Sequence, residues 1–160
     1  MIQEIDNTIL IQLQKGKFRK EIRLLSKPFD YKEFLLIKIF LKLVRVLSGE
    51  DMKKLFIGII FLFYFKKFFK RSRPFVDNKN LTNRSKSKLD KHSFPSGHSF
   101  MSFLFASILY KKYKNRLLFL IPLLVGYSRI YLTVHYPSDV LFGFIFCFIY
   151  ECIYDTTLFN

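Results

Sequence analysis

Ser128, Arg129, His135 and Asp139 fall within twelve residues of an otherwise apolar region. Burying such groups costs several kcal/mol unless they pair with one another or with a ligand. His135 and Asp139 are four apart across Pro137, the spacing of a first helical turn opened by proline. An aspartate there can accept from one imidazole nitrogen and leave the other free to attack, while a buried His–Asp pair that merely closes a fold is the competing reading. Arg129 offers a planar fork of donors suited to phosphate oxygens.

Two further clusters carry chemistry. In Pro95-Ser96-Gly97-His98, proline sets a turn, serine can cap a helix and glycine lets backbone N–H groups approach an anion, with His98 beside it as an acid. An ordinary capped turn reads the same way. Lys66 and Arg73 are seven apart, with Lys70 between them, so a helix running to Pro74 would carry all three cations on one face. Either an anion sits among them or they are a solvated helix end.

These clusters need elements to bring them together. Apolar residues at helical spacing between Ile2 and Leu25, with Lys15, Lys17, Arg19 and Lys20, predict an amphipathic helix, broken at Gly16, that lies on a surface or docks on the core. Apolar runs then follow at Tyr31 to Leu47, Leu55 to Phe65 with a basic end at Lys66 to Arg73, Ser96 to Lys111, Arg116 to about Val134, and Pro137 to Tyr154. Ser48 to Asp51 reads as a polar turn, and Val76 to Ser93 as a long basic loop of the kind that often carries function. The two cysteines, Cys147 and Cys152, are five apart, which turns them away from each other on a helix, so neither a disulfide nor a metal-ligand spacing is expected.

The 160 residues are 51% hydrophobic, include 21 Phe and no Trp, and carry a formal net charge of +15. Cations flank the apolar runs, as they do when Lys and Arg reach for a membrane interface. No basic face stands apart from apolar sequence, so nucleic acid is not an expected partner. The runs are about 16 to 20 residues long and apolar on all sides, and so short a chain cannot hide five such helices inside itself. The expected fold is all-α: one domain over 1–160, with an interfacial helix at 1–27, then a membrane-embedded bundle at 28–160 of about five transmembrane helices and an active-site loop at 74–95. The polar, acidic N-terminus predicts no cleavable secretory signal.

Lys66 with six residues before Arg73-Pro74, then Pro95-Ser96-Gly97-His98, then Ser128-Arg129 with five residues before His135 and three before Asp139, resembles the three-part signature of the type 2 phosphatidic acid phosphatase (PAP2) superfamily. The resemblance implies the integral-membrane lipid phosphatase branch rather than the larger soluble acid phosphatases and haloperoxidases. It implies His135 as the nucleophile forming a phosphohistidine, Asp139 as its orienting partner, and His98 as the acid and later the base. Lys66, Arg73, Ser96, Gly97 and Arg129 would hold the phosphate, with no metal or cofactor. The partners it implies are the bilayer and a lipid phosphate or pyrophosphate: polyprenyl (undecaprenyl) pyrophosphate, phosphatidic acid, phosphatidylglycerol phosphate or, as the alternative, lipid A. A silent binder of anionic lipid is the reading from another class. The expected location is a bacterial inner membrane. The short basic segment Lys111 to Arg116 argues for the cytoplasm at the end opposite the site, so the site is expected on the outer side.

Overall fold

A computed structural model describes residues 2–14, 16, 19–30, 33–35, 37, 41–42, 45–85 and 91–158. Of the expected helix Tyr31 to Leu47, residues 33–35, 37, 41–42 and 45–47 are described; 33–35, 37 and 41–42 are helical and 45–47 are not, and the rest of it lies outside the described residues. So do Lys15 and Lys17, and part of the long loop at 86–90.

The described chain is helical, in the order α1 (Ile2–Gln14), α2 (Arg19–Ser26), α3 (Gly49–Phe69), the single turn α4 (Pro74–Asp77), α5 (Gly97–Tyr113), α6 (Leu120–Tyr131) and α7 (Pro137–Leu158), with short 3-10 turns at Lys27–Phe29 and Arg116–Phe119. The fold thus agrees with the all-α expectation. The N-terminal pattern does break at Gly16, which lies between α1 and α2. Asp6 and Leu10 of α1 are buried, so this helix docks on the bundle.

The polar stretch Ser48 to Asp51 is not a turn but the start of α3. The Ser48 side chain accepts from the Asp51 backbone N–H, and the Asp51 carboxylate accepts from Ser48 N–H at 2.8 Å, a reciprocal cap that satisfies two donors the helix would otherwise leave open. At the other end α3 stops at Phe69. Lys70 adopts a left-handed conformation, φ 46°, and its N–H closes the helix on the Lys66 carbonyl. Lys66, Lys70 and Arg73 therefore do not share one helical face: Lys70 is exposed, and Arg73 sits in extended backbone capping α4. The helix expected from Arg116 to Val134 is also shorter, because Thr133 turns left-handed at φ 58° and folds the chain towards α7. A β-branched residue rarely occupies that region, and such strain gathers at functional sites.

The core joins α3, α5 and α7 through Leu55, Leu62, Phe100, Leu104, Cys147 and Tyr150. Gly58 makes this approach possible, since a Cβ there would meet Leu104 Cδ2 at 2.8 Å. At the end away from Asp139 the same helices are tied by charge: Lys54 Nζ lies 3.0 Å from both Glu151 and Asp155, and Lys111 lies 2.6 Å from Asp155. Cys147 and Cys152 are both free thiols.

Outward faces are apolar. Phe56, Ile60 and Phe63 of α3, Leu123 and Leu124 of α6, and Leu141, Phe148 and Ile153 of α7 are all exposed. A surface of that kind needs a lipid or protein cover. Among the described residues, Pro137–Thr156 is the one helix that meets the length and hydropathy of a span. Of the other expected spans, α3 has 21 residues but carries Lys54 and Lys66, while α5 and α6 have 17 and 12 residues.

Candidate active site

The bundle brings the three clusters to one place. His135 lies on the short connection between α6 and α7, and Lys66, Arg73, Arg129 and His98 surround it closely enough to act on its charge. Burial first, and then these neighbours, hold the imidazole well below the ordinary histidine value, so it is neutral at neutral pH. Each element contributes by a separate device. Lys66 comes from the last turn of α3, anchored by a 3.2 Å bond from Nζ to the His92 carbonyl. Arg73 donates to the Val134 carbonyl at 2.7 Å, fixing the backbone one residue before His135. Arg129, 1% exposed, donates from Nη1 to Ser26 Oγ at 3.0 Å, so α2 braces it.

Ser96 caps α5: its side chain accepts from Ser99 N–H, and its own N–H donates to the Asp139 carbonyl at 3.0 Å. The start of α5 is thus locked to the start of α7. Gly97 packs the helix onto α3, since a Cβ there would meet Leu62 Cδ2 at 3.1 Å and Lys66 Cε at 3.8 Å. His98 follows, and its Nε2 lies 2.8 Å from Asp30 Oδ1.

Asp139 is fully buried, and its Oδ2 is 3.7 Å from His135 Nδ1, too far for a hydrogen bond. Among the described residues Nδ1 has no hydrogen-bond partner. The carboxylate is held elsewhere: Oδ2 accepts from Tyr136 N–H at 2.9 Å, and Oδ1 accepts from Arg71 Nη1 at 2.8 Å. Arg71 binds more than this carboxylate. It also donates to Ser138 Oγ at 2.8 Å and to Asp6 Oδ2 at 3.1 Å, and it stacks 3.9 Å above the Tyr136 ring. Asp6 in turn accepts from Ser138 N–H at 3.1 Å. A buried carboxylate pair around one guanidinium therefore couples α1 to the first turn of α7.

Sequence reasoning missed Arg71, Asp6, Asp30 and Ser26. Arg71 hides in a run of cations, and the other three lie 65 or more residues from their partners, with no local spacing to reveal them. The long loop is also more structured than its composition suggests. Leu81, Arg84 and Ser85 are buried, Arg84 N–H donates to the Leu132 carbonyl at 3.2 Å, and the Arg84 guanidinium lies 4.9 Å over the Tyr131 ring. The loop supports the turn that carries His135.

Apolar outer faces on an all-helical bundle, with two histidines and a ring of cations gathered at one end, define an integral membrane protein whose site is suited to an anion. Residues 54–157 match the PAP2 superfamily, and the chain belongs to that family. Two solved structures share the fold: LpxE of Aquifex aeolicus, at 25% identity with a TM-score of 0.72 over 91% of this chain and 92% of that one, and the first transmembrane PAP2 type phosphatidylglycerolphosphate phosphatase from Bacillus subtilis, at 19% identity with a TM-score of 0.73 over 98% of this chain and 87% of that one. YbjG of Escherichia coli (strain K12), a candidate undecaprenyl-diphosphatase, is 35% identical over 78 residues; that match spans 47% of this chain and 38% of YbjG.

Proposed function

We propose that this chain is a membrane lipid phosphatase or pyrophosphatase that works through a phosphohistidine on His135. The observation that carries the reading is the enclosure of a neutral, buried imidazole by Lys66, Arg73 and Arg129, with a second histidine alongside. Two like charges about 4 Å apart repel by roughly 4 kcal/mol at an effective dielectric of 20, so a cluster of cations favours an anion among them. A phosphoryl group in transfer spreads its charge over three equatorial oxygens, which fixed guanidinium, ammonium and helix-start N–H donors match.

In the proposed first step the His135 Nε2 lone pair forms a bond to phosphorus as the bond to the leaving oxygen breaks, and a proton passes from His98 to that oxygen. In the second, His98 takes a proton from water, the water oxygen bonds to phosphorus, and the P–N bond breaks to release phosphate and restore His135. Asp139 would accept from the Nδ1–H of His135 and stabilise its positive charge; catalytic hydrogen bonds commonly shorten when substrate binds. Lys66, Arg73, Arg129, Ser96 and the backbone at Gly97 would hold the oxygens. No step requires a metal.

The substrate is proposed to be a lipid whose phosphate or pyrophosphate reaches the interface, with polyprenyl pyrophosphate supported by the likeness to YbjG and phosphatidylglycerol phosphate by the shared fold. A bacterial cytoplasmic membrane with the site on its outer side is the proposed setting. The test is phosphate release in detergent from undecaprenyl pyrophosphate, phosphatidic acid, phosphatidylglycerol phosphate and lipid A. At least one is expected to be hydrolysed, and His135→Ala should reduce the rate by about a thousandfold or more. Binding of all four without phosphate release would instead leave a silent anionic-lipid binder.

A further inference from the structure

The nucleophile candidate has a carboxylate near it in Asp139, and His98 has one too. Asp30 Oδ1 is 2.8 Å from His98 Nε2. The contact is aimed by the backbone. Pro28 is the second residue of the 3-10 turn Lys27–Phe29, Asp30 N–H closes on the Lys27 carbonyl at 3.0 Å, and the Asp30 carbonyl accepts from Phe34 N–H at 2.8 Å. Phe29 and Phe34 pack their rings 5.4 Å apart, and each lies 6.2 Å from Phe105 of α5, the helix that carries His98. The turn is therefore held against α5 at a fixed height. Among the described residues, Arg129 from α6, Lys66 from α3 and His135 from the α6–α7 connection also bear on His98, and each of these is a basic side chain. Asp30 also lies outside residues 54–157, so it is contributed by a segment beyond the family match.

We propose that Asp30 is the positioning residue of the acid–base histidine: it fixes the His98 ring through Nε2 and stabilises its protonated form, so that the remaining nitrogen can deliver a proton to the leaving oxygen. The site then holds two His–Asp pairs, one for attack and one for proton transfer. This rests on the phosphatase reading above. A carboxylate that accepts from one imidazole nitrogen selects the tautomer and the ring orientation, and it works against the burial and cations that disfavour the protonated ring.

The test compares the 160-residue protein with Asp30→Asn, Asp30→Glu, His98→Ala and the double variant Asp30→Asn/His98→Ala, all in detergent. Two substrates are used: a short-chain phosphatidic acid, whose alkoxide must be protonated as it leaves, and p-nitrophenyl phosphate, whose leaving group needs no proton. Asp30→Asn is expected to lower kcat/KM on phosphatidic acid by about tenfold or more and on p-nitrophenyl phosphate by less than about threefold. The basic limb of its pH profile should move to lower pH. Asp30→Glu should restore most of the rate, and the Asp30 change should add no further loss once His98 is alanine. Equal losses on both substrates, or a further loss in the His98→Ala background, would overturn the proposal by making Asp30 merely structural. Unchanged Asp30→Asn kinetics beside an active wild type would sink the positioning role alone; a wild type that releases phosphate neither from these two compounds nor from undecaprenyl pyrophosphate, phosphatidylglycerol phosphate or lipid A would take down the phosphatase reading and this inference with it.

Discussion

Burial and three cations act in the same direction on His135, and the sign of the result can be worked out. The folded imidazole binds its proton less readily than the unfolded one. Its neutral form is therefore fully accommodated above the ordinary histidine value of 6.5, and as the pH falls below that value the unfolded chain takes up protons that the folded site refuses. Acidification should erode stability, while the nucleophile itself stays unprotonated. The acid limb of kcat/KM due to His135 is thus expected below pH 6.5, once substrate ionisation is separated out, and an acid limb above that value would contradict the burial argument. Arg71 gives a second prediction at this scale. It is three-quarters buried and stands between the buried carboxylates of Asp6 and Asp139. Arg71→Gln would leave both without their cation, which typically costs about 3 to 5 kcal/mol. A clear drop in melting temperature in detergent, together with lost activity, is the expected outcome.

Helix junctions, more than single side chains, set the spacing of the two histidines. Gly143 of α7 is where this is most exposed to test. A Cβ there would lie 2.8 Å from the Ser96 carbonyl and 3.0 Å from Ser99 Cβ, and a backbone carbonyl cannot rotate aside as a side chain can. Gly143→Ala should push the start of α5 away from α7, at an overpacking cost of about 1 to 3 kcal/mol. Because His98 rides on that helix start and Asp139 on α7, turnover is expected to fall by about tenfold or more even in the fraction that remains folded. The readout is kcat alongside melting temperature, and a stability loss with normal kcat would show that the junction does not set the catalytic geometry.

At the scale of the whole molecule, a polar site is built into one end of a bundle whose outer faces are apolar. Large exposed residues such as Phe56, Phe63, Leu123 and Phe148 turn apolar surface outward along α3, α6 and α7. Monodisperse behaviour is therefore expected in detergent or lipid and not in plain buffer. The proposed chemistry adds two further outcomes. Vanadate, which adopts the trigonal geometry of phosphoryl transfer, should inhibit, and a chelator should leave activity intact. Loss of activity on chelation would require a metal that the proposed mechanism does not use.

What the sequence determined by itself were the features that depend on near neighbours. Helical periodicity, the break at Gly16, the cap at Ser96 and the first-turn spacing of His135 and Asp139 are all local, and they could be read from spacing and side-chain chemistry. The three-part signature likewise pointed to the family. Tertiary structure decided what lies far apart in the chain. Asp30 reaches His98 and Asp6 reaches Arg71 only because the N-terminal segment folds back onto the bundle, and no periodic pattern encodes a contact across 65 or 68 residues. It also decided a local matter that composition obscured. Lys66 and Arg73 meet at one histidine although the helix between them ends at Phe69, because a left-handed Lys70 turns the chain and lets backbone bonds, rather than a shared helical face, aim both cations.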